Sequence, residues 1–264
     1  MSRTHVPPKA ALNDGEAGTL VREALEDGSS LSRPGRTRSG GIWGWWLCQE
    51  CNGKTSEWDE YYANFVKASV QLLEGAAPNP DVTHLIFEIE GGFQPGALVR
   101  SVLAGMFALS EDLATQYPNL AEATFEGIPG TWPEDLVLGL AINANGVTVA
   151  SGQAALKAIT KFRLRTQDSP VDGPERNTAF EAVPAPEVLI GSPPFLWFLG
   201  KAANRDEMPN ALSAGSWIED DPHAARAGSM ELPVIAIVGE SAKPGSLMFC
   251  YEDLINVRLA DVYS

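Results

Sequence analysis

Two short segments carry the side chains with the clearest chemical potential. Residues 2–9 read Ser-Arg-Thr-His-Val-Pro-Pro-Lys and contain His5, and residues 47–55 read Leu-Cys-Gln-Glu-Cys-Asn-Gly-Lys-Thr and contain Cys48 and Cys51. An imidazole takes up or gives off a proton near neutral pH. A Cys-x-x-Cys pair serves as a zinc half-site, as a redox pair or as two buried small side chains. Taken separately, neither segment distinguishes among these alternatives.

The elements around the cysteine pair predict a turn between a strand and a helix. Residues 42–47, Ile-Trp-Gly-Trp-Trp-Leu, are aromatic and β-branched, which favours a short strand. From Ser56 apolar residues recur at three- and four-residue spacing behind an acidic first turn, which predicts a helix that ends at Gly75. Residues 13–41 are rich in Gly, Ser, Asp and Arg and predict mostly loop, with a helix-like stretch at 20–25.

The sequence Ala-Ala-Pro-Asn-Pro-Asp at 76–81 marks a candidate domain boundary, because its prolines and Asn break a helix. We therefore predict an N-terminal module at 1–75 and a larger domain at 82–264. The elements predicted in the larger domain are a helix at 95–109 and strands at 84–90, 136–143, 147–150, 188–190, 195–199, 234–238 and 247–251. This order predicts an α+β fold.

The composition indicates an ordinary folded protein. The 264 residues are 44% hydrophobic and 20% charged. No run of eighteen apolar residues occurs and the first residues lack the apolar core of a secretory signal, so we expect no membrane span and a cytoplasmic location. The three cysteines, of which Cys250 is the third, are too few and too uneven in number for a secreted disulfide framework.

The charge of the chain is distributed unevenly. A formal net charge of -15 argues against a protein that coats nucleic acid, since Lys and Arg supply most non-specific affinity for phosphate. Residues 1–56, however, carry seven Lys and Arg against six Asp and Glu, so the remainder holds almost all of the negative charge. Any contact with phosphate is therefore expected in the N-terminal part. The basic run at 33–38 is equally well explained as a solvated loop.

In combination, residues 4–7 and 47–52 resemble the His-Asn-His (HNH) endonuclease family. Its members carry an acid-His-hydrophobic-x-Pro segment and, later in the chain, a Leu-Cys-x-x-Cys-His/Asn turn that opens a helix. The resemblance implies a small ββα-metal-like module, followed here by a larger mixed α+β domain. Residues 58–62, 95–118 and 193–195 look similar to a bacterial and phage branch in which a domain of unassigned role follows the module.

The resemblance also implies roles for individual residues. His5 would be the general base that takes a proton from the attacking water, and Asn52 would be a ligand of a divalent ion, Mg or Mn. Cys48 and Cys51 would hold a structural zinc ion at the turn. A base that works near neutral pH beside a hard cation is what phosphodiester hydrolysis needs. The implied function is that of an HNH-type endonuclease acting on DNA.

Three departures from the family pattern support an alternative. Thr4 stands where the family has an acidic ion ligand, and Trp43 or Gly44 stands near the position of the middle Asn. A second, upstream Cys-x-x-Cys pair is not in the sequence. The alternative is a catalytically degenerate HNH-derived binding protein, whose acidic larger domain recognises a protein partner.

The remaining candidates have simpler explanations. The tryptophans of the 42–47 run could stack on bases, but we expect at least two of them to fill the core. The neighbouring carboxylates Asp59 and Glu60 point in different directions on a helix and are expected to solvate its surface. His84 and His223 have no accompanying motif and are expected to be incidental.

Overall fold

The computed structural model describes residues 1–14, 16–17, 20–24, 30–34, 38–74, 84–143, 149–151, 162–166, 182–183, 188–203 and 211–238. The helices are α1 Gln49–Lys54, α2 Ser56–Glu74, α3 Pro95–Leu109, α4 Glu111–Gln116 and α5 Pro118–Glu126, with a 3-10 helix at Gly215–Glu219. The strands are β1 Ser2–His5, β2 Glu16–Ala17, β3 Leu20–Ala24, β4 Ser30–Pro34, β5 Arg38–Ser39, β6 Trp43–Leu47, β7 His84–Phe93, β8 Leu136–Asn143, β9 Val149–Ser151, β10 Phe162–Thr166, β11 Ala182–Val183, β12 Val188–Ser192, β13 Phe195–Lys201, β14 Leu212–Ser213 and β15 Arg226–Val238. The fold is α+β, as the sequence predicts.

The N-terminal part is a two-stranded ribbon followed by helices. Strand β1 pairs antiparallel with β6, with His5 opposite Trp43. Cys48 follows β6 directly and is the N-cap of α1, and α2 begins two residues after the end of α1. The predicted turn between strand and helix is therefore confirmed.

The segment between β1 and β6 contains more regular structure than the sequence indicates. Within 13–41, predicted as mostly loop, β2 pairs with β5 and β3 pairs with β4, both antiparallel. The helix-like stretch at 20–25 is in fact the strand β3, so that prediction is wrong. A stretch this short has too few apolar positions to separate helical from strand periodicity, and its pairing with β4 decides the outcome.

A mixed sheet forms most of the second half of the described chain. Seven strands follow the order β11-β10-β15-β8-β13-β12-β9, with β14 beside β8 and β7 beside β15. The pair β15 and β8 is parallel, whereas the other described pairs are antiparallel. The predicted strand at 136–143 has the bounds of β8. The strands predicted at 188–190, 195–199 and 234–238 lie within β12, β13 and β15.

Helix α3 is the central helix of the structure. It has the predicted bounds, but thirteen of its fifteen residues are buried rather than one face only. A helix that is apolar around its whole circumference is covered on all sides. Here α2, α4, α5, the 3-10 helix, β6 and β12 contact it.

One cluster of buried side chains includes residues from both sides of the predicted boundary. Val6 and Tyr62 belong to it together with Leu98 and Ile190. A Cβ at Gly105 of α3 would lie 3.1 Å from Val6 Cγ1 and 3.0 Å from Ile190 Cδ1. The bare backbone at Gly105 therefore lets β1 pack closely against α3.

Some predictions fall outside the described residues. These are the helix end at Gly75, the boundary at 76–81, the strand at 247–251 and the first half of the strand at 147–150. The division into 1–75 and 82–264 stays a prediction. Among the residues that the structure does describe, no helix has both the length and the apolar character to cross a membrane.

A buried arginine connects α3 to its neighbours. Arg100 has no exposed surface, and its guanidinium donates to five backbone carbonyls, those of Gly96, Ala123, Ile128, Ile218 and Asp220. Burial lowers the pKa of Arg100 to about 10, so the group stays charged at neutral pH. A buried charge is tolerated when its donors are bonded.

We expect Arg100→Lys to lower the free energy of unfolding by about 3 kcal/mol, because an ammonium cannot reach carbonyls arranged for a planar fork. Urea denaturation followed by tryptophan fluorescence measures the loss. Arg226→Lys is the matched control, since Arg226 is half exposed and lies 3.6 Å from Asp220. It should change stability by less than about 0.5 kcal/mol. If both variants lost the same amount of unfolding free energy, the Arg100 guanidinium would not have the stabilising role described here.

Candidate functional site

The candidate site is a small cleft where β1 faces α2 and α3. The cleft has a volume of about 10 Å³, which suits about one water molecule. Its polar lining residues are Thr4, His5, Thr55, Asp59, Tyr62 and Ser101. The apolar part of the wall comes from residues 6–8, which follow β1, and from β6, α3 and β12. Polar side chains of β1, α2 and α3 therefore lie together at the cleft.

His5 is held at the cleft by its neighbours in the chain. Val6, the next residue, is fully buried against α3, which fixes the end of β1. The His5 imidazole is half-buried, and its Nδ1 is buried without a hydrogen-bond partner among the described residues. Burial, followed by the positive charges of Arg3 and Lys9, lowers the pKa of His5 to about 4. At neutral pH the ring is therefore uncharged and has a lone pair that can accept a proton.

Asp59 is a site residue that the sequence analysis missed. It lies in the first turn of α2, lines the cleft with His5, and accepts a hydrogen bond from Ser101 Oγ at 2.7 Å. Burial raises the pKa of Asp59 to about 6, although Ser101 opposes the shift. Its neighbour Glu60 is exposed. The expectation that both carboxylates solvate the helix surface is thus wrong for Asp59, because α3 covers this side of α2.

Asn13 is a second residue that the sequence did not reveal. It is 1% exposed, and its Nδ2 donates to the carbonyls of Pro7 and Ile42 at 2.6 and 3.0 Å. The Ile42 backbone N–H donates to Asn13 Oδ1 at 2.7 Å. Pro7, two residues after β1, and Ile42, directly before β6, are therefore connected through one side-chain amide. No periodicity or motif marks this position, because the contact spans 29 residues of sequence.

The backbone of Gly41 packs closely against Asn13. Gly41 has a positive φ of 80°, and a Cβ there would lie 2.0 Å from the Asn13 carbonyl oxygen. A side chain at this position is therefore excluded by both backbone conformation and space. The ribbon that carries His5 is closed by Asn13 and Gly41 together.

Cys48 and Cys51 lie at the turn and do not line the cleft. Their Sγ atoms are 2.6 Å apart, and the Cys51 backbone N–H donates to Cys48 Sγ at 3.0 Å. Cys48 is exposed and Cys51 is partly buried. The hydrogen bond from the Cys51 thiol lowers the pKa of Cys48, whereas burial raises the pKa of Cys51. The two thiols are therefore chemically different.

Asn52 stands beside β1 but does not line the cleft. Its Nδ2 donates to the Arg3 carbonyl at 3.4 Å. Asn52 thus contacts β1 at Arg3, two residues before His5. The wall of the cleft is formed by other residues. Thr4, which stands in place of the acidic ion ligand, is buried, and its hydroxyl donates to the Ser2 carbonyl at 3.5 Å.

The tryptophans of β6 lie at different depths. Trp46 packs against the core cluster, Trp43 is half-buried, and Trp45 is 60% exposed. The Arg3 guanidinium lies over the Trp43 ring at 4.0 Å from its centroid. His223 is exposed, and its ring contacts the Trp58 ring.

Among the described residues, no group of three or more His, Cys, Asp or Glu side chains is placed to hold a metal ion. Comparison of the chain with protein-family models, with curated proteins and with solved structures found no match. The resemblance to the HNH family stays a prediction, and so do the roles that it implies for His5, Cys48, Cys51 and Asn52.

We expect Asp59→Asn to stabilise the protein above pH 6. Because the folded-state pKa is raised from 3.8 to about 6, the folded state binds the proton more tightly, and the free energy of unfolding falls as pH rises between these values. Asn accepts the Ser101 hydrogen bond without a charge. The variant should therefore exceed the wild type by about 1–2 kcal/mol at about pH 7.5 and match it at about pH 4.

Urea denaturation at a series of pH values measures this difference. Glu60→Gln is the matched control, because Glu60 is the exposed neighbour of Asp59 on the same helix. His5 has the opposite dependence, since a lowered pKa costs stability as pH falls from 6.5 to about 4. That contribution is common to wild type and Asp59→Asn and cancels in their difference. A difference that is constant with pH would show that the Asp59 carboxyl is not destabilised by burial.

Proposed function

We propose that the chain is a divalent-metal-dependent hydrolase of DNA phosphodiester bonds, with His5 as its general base. The observation that carries the proposal is the His5 imidazole, whose buried Nδ1 has no partner among the described residues and whose ring lines a cleft with the half-buried carboxylate of Asp59. A buried polar group without a partner costs about 1–3 kcal/mol, so its presence calls for a functional explanation. Proton transfer in a cleft is such an explanation.

His5 is unprotonated at neutral pH, as a general base must be, although its lowered pKa makes it a weaker base than an ordinary histidine. With a pKa of about 4, the imidazole is neutral throughout the physiological range. It accepts the proton of a water molecule as that water attacks phosphorus, and it stays in place because Val6 is packed against α3. The strand fixes the position of the ring, while burial keeps the ring uncharged.

Asp59 would supply the carboxylate that is missing at Thr4. The Thr4 hydroxyl is buried and bonded to a carbonyl, so it does not fit an ion ligand. The Asp59 carboxylate lines the cleft of His5, and Mg²⁺ is commonly held by one or two carboxylates together with water and substrate phosphate. When bound, the ion supplies positive charge to the developing negative charge on the phosphate oxygens.

The charge around His5 favours an anionic substrate. Arg3 and Lys9 lie close enough to His5 to lower its pKa, although the chain as a whole has a net charge of -15. Phosphate contacts are made chiefly by Lys and Arg. DNA would therefore approach the cleft from the side of these two residues. Free thiols at the turn suit a reducing compartment, so we infer that the protein works in the cytoplasm.

A plasmid-nicking assay with Mg²⁺ or Mn²⁺ tests the proposal. We expect His5→Ala to reduce the nicking rate by about 10²–10⁴-fold, the usual contribution of a positioned base. Asp59→Asn should reduce it as well, and the wild-type rate should fall below pH 6 as Asp59 takes up a proton. His223→Ala, which removes an exposed histidine, should leave the rate unchanged.

Circular dichroism of each variant shows whether the fold is retained. Plasmid that stays intact with both ions, or full activity in a folded His5→Ala variant, would overturn the proposal.

A second candidate is a catalytically degenerate HNH-derived protein that binds a partner without cleaving it. The buried and bonded hydroxyl of Thr4 favours this candidate, since the family's ion ligand is lost there. The acidic larger part of the chain would then recognise a basic protein partner. Stoichiometric binding of such a partner by protein that does not nick plasmid distinguishes this function from hydrolysis.

A further inference from the structure

The proposed hydrolysis makes no use of the thiols at the turn between β6 and α1. Cys48 Sγ and Cys51 Sγ are 2.6 Å apart, close to the bond length of about 2 Å found in disulfides. The Cys51 backbone N–H points at Cys48 Sγ at 3.0 Å. Cys48 is exposed, whereas Cys51 packs against the core cluster. The pair is thus preformed, with one accessible and one shielded sulfur.

The pair does not fit the structural zinc site that the resemblance implies. Such sites have four ligands in a tetrahedral arrangement, mostly Cys and His. Cys48 and Cys51 supply two, and the described part of the chain offers no group of three or more metal-ligating side chains at the turn or elsewhere. Cys250 lies outside the described residues. What the described turn contains is a dithiol.

We propose that Cys48 and Cys51 form a thiol–disulfide exchange pair that reduces disulfides of other molecules. Cys48 is the attacking sulfur, because it is exposed and its sulfur accepts a hydrogen bond from the Cys51 backbone N–H, which stabilises the thiolate. Cys51 is the resolving sulfur, because it is within reach of Cys48 and shielded from solvent. The activity is independent of the cleft that contains His5 and Asp59.

The exchange proceeds in two balanced steps. The Cys48 thiolate attacks one sulfur of a substrate disulfide, forming a mixed disulfide, and the other substrate sulfur leaves as a thiolate that takes up a proton from water. The Cys51 thiol then loses its proton to solvent and attacks Cys48 Sγ. This step forms the Cys48–Cys51 disulfide and releases the second substrate sulfur as a thiol. Counted from the dithiol, in which the Cys48 thiol first gives its proton to water, the protein loses two electrons and two protons, and the substrate disulfide gains them.

Reaction of the reduced full chain with an aromatic disulfide, 5,5′-dithiobis(2-nitrobenzoic acid), tests the proposal. All variants carry Cys250→Ser, so that the reaction reports on the pair alone. We expect two coloured thiolates to be released per chain, the second at a rate independent of reagent concentration. The product should retain no label, and peptide mapping should find Cys48 joined to Cys51.

Single variants separate the roles of the two sulfurs. Cys51→Ser should release one thiolate and keep the mixed disulfide on Cys48, whereas Cys48→Ser should react more slowly than Cys51→Ser by about tenfold. Peptide mapping of the chain with all three cysteines, oxidised by glutathione disulfide, gives the same information if Cys250→Ser does not fold. In that oxidised chain we expect a disulfide bond between Cys48 and Cys51.

Other outcomes would overturn the proposal. One is two labels retained on the chain, which means that the thiols react independently. Equal rates for the two single variants, or a Cys250 linkage in the oxidised full chain, would also contradict it. So would one zinc ion per purified chain that is lost in Cys48→Ser. Because His5→Ala leaves the turn intact, its thiol reactivity should equal that of wild type, which keeps this test separate from the nicking assay.

Discussion

The buried guanidinium of Arg100 is the constraint on which the arrangement of the site depends. Its charge persists at neutral pH, and removing a charge from water costs several kcal/mol unless every donor is bonded. The acceptors are carbonyls of α3 itself, of α5, of the 3-10 helix and of the segments that follow these two elements. Helix α3 cannot rotate or slide without leaving a buried donor unbonded, so its orientation is fixed.

The orientation of α3 in turn places the polar groups of the cleft. Ser101 follows Arg100 directly and donates to Asp59 of α2. One turn further on, Gly105 leaves room for Val6, the residue after His5. The carboxylate and the imidazole thus reach the same cleft because two successive turns of one helix receive α2 and β1. Neither side chain would occupy this position if α3 faced another way.

The sequence predicts those parts of the fold that depend on local patterns. The bounds of α3 follow from apolar residues at helical spacing, those of β8 follow from an apolar run, and the turn at Cys48 follows from an aromatic strand next to a capped helix. The importance of Asp59 cannot be predicted in this way. Asp59 and Glu60 are equivalent in the helical pattern, and only the packing of α3 leaves Asp59 half-buried and Glu60 exposed.

Asn13 shows the same limit at longer range. Its partners are separated from it by 6 and 29 residues, and its importance comes from a burial that no local window contains. Patterns specify elements, whereas contacts between distant segments specify which polar residue inside an element is covered by the rest of the fold. This is why the sequence indicates His5, which lies in a recognisable segment, and gives no sign of Asp59 or Asn13.

The pKa values of His5 and Asp59 are shifted in opposite directions by the same cause, which is burial. Burial therefore also affects whether the cleft favours a bound cation. Burial disfavours charge, so it lowers the pKa of the base and raises that of the acid. Between about pH 4 and about pH 6 both groups are neutral. Above that range Asp59 ionises while His5 stays neutral, and the cleft gains one negative charge. A phosphate is repelled by this charge unless a cation lies between the two anions. For the proposed hydrolysis at neutral pH this charge favours a bound cation, because the burial that keeps His5 uncharged does not prevent Asp59 from ionising in the same cleft.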